Sequence, residues 1–126
     1  MQYSRILLID DDKEDQEIFL SAIKEIGASV ECITMNDARS ALTQLENRTV
    51  VADVIFLDLK MPVMSGQQFL TELNKKEALS EIPVIILSTT GNSETINATK
   101  ALGAKLFLTK PNNFKEFKNV LYQILK

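Results

Sequence analysis

Histidine is absent from all 126 residues. Its absence rules out Ser-His-Asp hydrolysis, histidine-ligated zinc and any self-contained phosphohistidine chemistry. Cysteine occurs once, at Cys32, so no internal disulfide can form and a reducing cytosolic setting is expected. Cys32 lies in the alternating stretch Val30-Glu31-Cys32-Ile33. With no imidazole to activate it, it reads as a structural thiol in the core rather than a nucleophile. The chain also lacks a basic excess: its net charge of −3 argues against a dedicated nucleic-acid binder and leaves protein contacts open. No apolar run approaches the length of a membrane span, and the N-terminus has no signal-peptide pattern. A cytoplasmic protein without membrane or nucleic-acid partners is the expectation.

What is present is an ordinary globular composition, 45% hydrophobic and 25% charged, long enough for one domain over 1–126 with its own core. Four short apolar runs share one design: each ends abruptly in polar groups. Arg5-Ile6-Leu7-Leu8-Ile9 ends in Asp10-Asp11-Asp12, and Val54-Ile55-Phe56-Leu57 ends in Asp58. Pro83-Val84-Ile85-Ile86-Leu87 ends in Ser88-Thr89-Thr90, and Leu106-Phe107-Leu108 ends in Thr109-Lys110. Runs of this length read as buried strands. In an open parallel sheet, ligands bind outside the carboxyl ends of the strands, so the four ends can converge on one site.

The segments between the runs are helical. Lys13–Ile26 carries Ile18, Phe19, Ala22, Ile23 and Ile26 at helical spacing and stops at Gly27. Asp12 is placed to cap it, with Asp15 in the first turn where a carboxylate suits the helix dipole. A second strand is predicted over 30–35, then a helix capped by Asn36 and running to about Glu46. A third strand over 53–57 leads through a Pro- and Gly-containing loop, 60–66, into a helix capped by Ser65. Met61 and Met64 read as packing residues of that loop. The fourth strand is predicted over 83–87, a polar helix over 93–102 ended by Gly103, the fifth strand over 105–109, and a last amphipathic helix from Phe114. Strand and helix alternate five times, which implies one doubly wound α/β domain: a parallel sheet, right-handed crossovers and helices on both faces.

Asp10, Asp11 and Asp58 would then form a carboxylate cluster at neighbouring strand ends. Without a counter-charge they repel, and at least one pKa rises. A divalent cation relieves this, and oxygen-only ligands select a hard ion such as Mg²⁺. Lys110 brings a cation and Ser88 a hydroxyl to the same rim. Acids, metal, lysine and hydroxyl together suit phosphoryl transfer, with Asp58 as the nucleophile that becomes an aspartyl phosphate.

Asp10-Asp11, the segment Asp58-Leu59-Lys60-Met61-Pro62-Val63-Met64-Ser65-Gly66, Ser88-Thr89 and Lys110-Pro111 occur in a specific order and spacing. On these residues the chain resembles two-component response-regulator receiver domains of the chemotaxis CheY type, over essentially its whole length. The resemblance implies a flavodoxin-like (βα)5 sheet of order 2-1-3-4-5, with Asp58 as phosphoacceptor. It implies Mg²⁺ held by Asp11, Asp58 and the backbone carbonyl of Lys60, with Asp10 helping through a water. Lys110 would pair with the phosphoryl oxygens, Ser88 would be the switch hydroxyl and Phe107 the aromatic switch. Lys110–Pro111 would be a candidate cis peptide. A histidine kinase or phosphotransfer protein would be the donor, and a downstream protein target would read the face of the fourth helix, fifth strand and fifth helix. The polar segment 91–95 suits a movable element.

Three positions depart from the commoner pattern or bear on it. Phe107 stands where tyrosine is usual, and Lys60 and Thr90 occupy the positions thought to tune dephosphorylation. Three other readings compete. An aspartate-nucleophile phosphatase of the haloacid-dehalogenase type needs an acid where Lys60 stands. A degenerate, constitutively docking receiver would have lost an acid or the lysine, and this chain keeps them. Flavodoxin-like FMN binding lacks its Gly/Ser/Thr-rich loop, and Trp is absent. Because the chain stops just after the last helix, its output is expected to be protein–protein contact.

Overall fold

Strands made almost wholly of Val, Ile, Leu and Phe have no wet face, so they must be covered on both sides. In a computed structural model, which describes residues 3–27, 29–89 and 91–126, helices supply both covers. The order is β1 (Arg5–Ile9), α1 (Lys13–Ile26), β2 (Glu31–Met35), α2 (Ala38–Glu46), β3 (Val54–Asp58), α3 (Gly66–Asn74), β4 (Val84–Ser88), α4 (Ser93–Ala101), β5 (Leu106–Thr109) and α5 (Phe114–Leu125). All pairings are parallel, and the five strands lie in the order β2-β1-β3-β4-β5, as the resemblance implies.

Two-residue periodicity sorts each strand between two cores. Leu7, Ile9, Ile55, Leu57 and Ile86 face one side, where Ala41, Leu42 and Leu45 of α2 and Phe69, Leu70 and Leu73 of α3 close over them. Ile6, Leu8, Val54, Phe56, Ile85 and Leu87 face the other, under α1 and α5. There the Phe19 ring meets Phe56 edge-on at 5.1 Å between centroids and Phe117 at 6.2 Å. Cys32 packs, half-buried, at the margin of this second core. Burial pushes its thiol up to about 12, which fits the structural reading.

At the amino end of the sheet, Asp53 accepts hydrogen bonds from the backbone N–H groups of Ser4 and Arg5, the Ser4 hydroxyl and the Arg5 guanidinium. The Arg5 contacts, with Ser4 adding, hold its carboxyl down at about 2. Asp12 caps α1, accepting from the Glu14 and Asp15 N–H groups, and Ser65 caps α3 in a reciprocal capping box with Gln68.

Several boundaries move by a residue. The cap of α2 is Asp37, not Asn36: its backbone is extended and its carboxylate accepts from Ser40 N–H at 3.1 Å. β3 and β4 each start and end one residue later than the sequence predicts. Asp58 and Ser88 are therefore the last residues of the ladder, paired with Leu87 and Thr109. Pro83 has no N–H to donate and stands just outside β4. The Lys110–Pro111 bond is trans rather than cis, the isomer that X–Pro amides intrinsically favour by about 0.5–1 kcal/mol.

Candidate metal and phosphoacceptor site

β1 and β3 are neighbours, and the connection out of β1 leads to β2 on one side while that out of β3 leads to β4 on the other. The chain therefore opens a crevice between their carboxyl ends, the place where such sheets bind ligands. Asp10 follows β1 and its N–H still donates to Met35 O, at 2.9 Å, so it continues the strand into the crevice. Asp58 closes β3 beside it. One oxygen from each of Asp10, Asp11 and Asp58 lies within 4.8 Å of the others. These donors are all carboxylate oxygens, which fits a hard divalent cation and not a soft one.

Burial differs sharply across the cluster. Asp10 is 1% exposed, Asp58 is half-buried and Asp11 faces solvent. Desolvation pushes Asp10 up to about 6, against the Asp12 N–H hydrogen bond and the Lys110 charge, while the charges of Asp58 and Asp15 add to the rise. Asp58 is raised as well, first by burial, and opposed by the Lys60 N–H (3.3 Å from Oδ1) and the Lys110 charge. Two carboxyls of the cluster are thus raised, as the sequence predicted, but burial is the first cause and repulsion between the acids only adds to it.

Lys110 leaves β5 at the same rim. Its N–H donates to Ser88 O at 2.7 Å, which anchors the backbone of one residue to that of the other. Its ammonium reaches Asp10 Oδ2 at 3.4 Å and Asp15 Oδ2 at 3.0 Å. Burial by itself would lower the lysine, but the Asp15 hydrogen bond and the charges of Asp10, Asp15 and Asp58 hold it above its ordinary value. Ser88 is buried at the end of β4. Phe107, half-buried, packs against the α2–α3 side of the sheet. A β-carbon at Gly91 would lie only 2.7 Å from its Cε1, so the absent side chain at 91 is what lets the ring lie there. Met61 and Met64 pack against the core, as expected of loop residues. Thr90 lies outside the described residues.

The structure thus gathers Asp10, Asp11, Asp58, Lys110 and Ser88 at one end of the sheet. Two contributors escape the sequence reading. Gln16 donates through Nε2 to Asp10 O at 2.6 Å, and Asp15, expected only to suit the helix dipole, pairs with Lys110. A signal for Asp15 exists: it continues the buried stripe Phe19, Ala22, Ile23 of α1 one turn toward the site. An acid on an apolar stripe needs a partner. An open cavity of about 390 Å³ beside the cluster is lined by Asp10, Asp15, Phe19, Thr89 and Lys110 among others.

A parallel sheet that gathers carboxylates, a lysine and a hydroxyl at its switch point defines a class of α/β modules equipped to hold a phosphoryl group and a hard cation. Within that class the chain belongs to the response regulator receiver domain family, whose model matches residues 6–122. The chain is 31% identical over 116 residues to the response regulator Rcp1 of Synechocystis sp., covering 88% of this chain and 79% of that one. It superposes on the structure of the Mn(2+)-bound form of Rcp1 with a TM-score of 0.84 at 28% identity, covering 96% of this chain and 91% of that one. With the phosphorylated cyanobacterial phytochrome response regulator RcpA the TM-score is 0.87 at 27% identity, with 97% and 91% covered. The protein is a phosphorylation-switched signalling module with an acidic active site. It is a switch acting on its own phosphoryl group rather than an enzyme turning over a separate substrate. The family places it downstream of a histidine kinase or phosphotransfer protein. Among the described residues no helix is long and apolar enough to cross a membrane.

Proposed function

We propose that residues 1–126 act as one receiver domain in which Asp58 takes the phosphoryl group from a phosphohistidine of a kinase or phosphotransfer protein. A carboxylate oxygen of Asp58 forms a bond to phosphorus as the P–N bond to the donor imidazole breaks. The electron pair leaves with the ring nitrogen, which takes up a proton from solvent. The observation that carries this reading is the meeting of three carboxylate oxygens within 4.8 Å, with the Lys110 ammonium 3.4 Å from one of the three acids.

Mg²⁺ is the expected ion; Asp11, Asp58 and the Lys60 carbonyl would hold it, and Asp10 would help through a water. When bound, it neutralises the acids and the phosphoryl oxygens. Asp58 is the acid to carry the group because it ends the central strand, half-buried, with the Lys60 N–H fixing one of its oxygens. Lys110 pairs with the incoming oxygens, and Ser88, at the tip of the adjacent strand, turns its hydroxyl toward them. Phe107 and the loop after β4 follow, and the surface of α4, β5 and α5 changes for a downstream protein partner.

Incubation with acetyl phosphate and Mg²⁺ tests this. Intact mass should rise by one phosphoryl group in the wild type and not in Asp58→Asn. Retention of the gain in that variant would remove Asp58 from the role.

A further inference from the structure

Lys110 is the only basic residue that ion-pairs at this rim among the described residues, and its ammonium is already engaged. The shorter of its two pairs goes not to the carboxylate cluster but to Asp15, at 3.0 Å against 3.4 Å to Asp10. Asp58 is not among its ion-pair partners. An ammonium has three N–H donors and a compact charge. The Lys110 backbone cannot shift freely, because its N–H is tied to Ser88 O at 2.7 Å and Pro111 follows. What can move is the side chain, and in the unphosphorylated protein Asp15 draws it toward α1.

Asp15 is well placed for that task. Asp12 fixes its backbone in the first turn of α1, and it stands outside the group of carboxylates that can share a cation. Its side chain is 35% exposed, so water can take the lysine's place as its partner when the ammonium moves away. Asp10 differs on both counts: it is buried and belongs to the cluster.

We propose that Asp15 is a positioning residue for Lys110, an internal anion that occupies the ammonium until a phosphoryl group on Asp58 takes it over. Asp15 and the phosphoryl oxygens compete for one cation, so Asp15 opposes the phosphorylated form and sets how readily the switch is thrown. The inference rests on the receiver reading above, with Asp58 as the phosphoacceptor.

The test is a titration with beryllofluoride, a phosphoryl mimic, at saturating Mg²⁺, followed by amide ¹⁵N–¹H NMR. It compares the wild type with Asp15→Asn, Asp15→Glu and Glu14→Gln. Removing the competitor should lower the half-saturation of Asp15→Asn roughly three- to tenfold, the range expected for loss of a partly exposed charge-assisted pair. Asp15→Glu, which keeps an acid within reach, should return toward the wild type. Glu14→Gln loses the same charge one residue away and should match the wild type. Equal half-saturation for Asp15→Asn and the wild type overturns the inference while leaving the receiver reading intact. So does an equal shift in Glu14→Gln, which would trace the effect to net charge. A wild type that gives no saturable response overturns the receiver reading, and the inference with it.

Discussion

Asp10 carries the clearest electrostatic signature within the carboxylate cluster. Desolvation places its folded pKa at about 6 against an ordinary 3.8, so between those values the fold holds a proton that the unfolded chain has released. Where the native state binds more protons, stability falls as pH rises. On this account the cation-free protein is more stable near pH 4 than above pH 6, by on the order of 2 kcal/mol. Asp53 acts with the opposite sign. Held at about 2 by Arg5 and Ser4, it stabilises the fold above about pH 4, and that contribution fades as pH falls toward 2. Urea midpoints measured in a chelator across pH 3–7 should therefore decline from about 4 to 6. Asp10→Asn, with no proton to lose, should flatten that decline. A wild-type profile that rises through the same window would contradict the assignment.

Among the elements, α4 is set apart. It buries only Thr99 fully, and the Thr99 hydroxyl is satisfied within the helix by Thr95 O and Ile96 O, so little ties α4 to the sheet. By contrast β3 and β4 are buried along nearly their whole length. The Asn92 cap and the Asn74 side chain, which donates to Leu102 O, hold only its two ends. An element with few buried apolar contacts opens locally at low cost. Amide exchange in α4 should run about a hundredfold or more ahead of β3 and β4, and exchange of α4 in step with the sheet would deny it the role of a movable surface. The loop after β3 is held differently. Val63 has φ 70°, and Met64 N–H closes a tight turn onto Pro62 O at 2.8 Å. A β-branched residue there is strained, and the strain sits a few residues past Asp58.

For the molecule as a whole, the carboxylate cluster is an electrostatic debt that a cation settles. Binding to the native state alone stabilises it by about 1.4 kcal/mol at ten times Kd, which corresponds to roughly 4–6 °C in Tm for a domain of this size. Mg²⁺ should give that rise at neutral pH, and an equal ionic strength of KCl should not. Asp11→Asn should blunt it. A melting point indifferent to Mg²⁺ in the wild type would remove the cluster as a cation site.

Much of this was legible before any coordinates. Apolar runs without a wet face demand a two-sided cover, so alternating strands and helices already dictated a doubly wound parallel sheet. Polar groups at four strand ends already identified Asp10, Asp11, Asp58, Ser88 and Lys110, because topology forces carboxyl ends to one edge. Local hydrogen bonding determined the Asp12 and Ser65 caps in the same way, whereas Asn36 and Asp37 offer equivalent oxygens and only the observed backbone turn chooses Asp37. Tertiary structure alone decided where the Lys110 ammonium rests. Its partner Asp15 is 95 residues away in sequence, and no local pattern encodes which of several nearby carboxylates a flexible lysine will meet. Patterns along a chain record what each residue requires of its surroundings; which neighbour meets the requirement depends on distances that exist only once the sheet and its helices have packed.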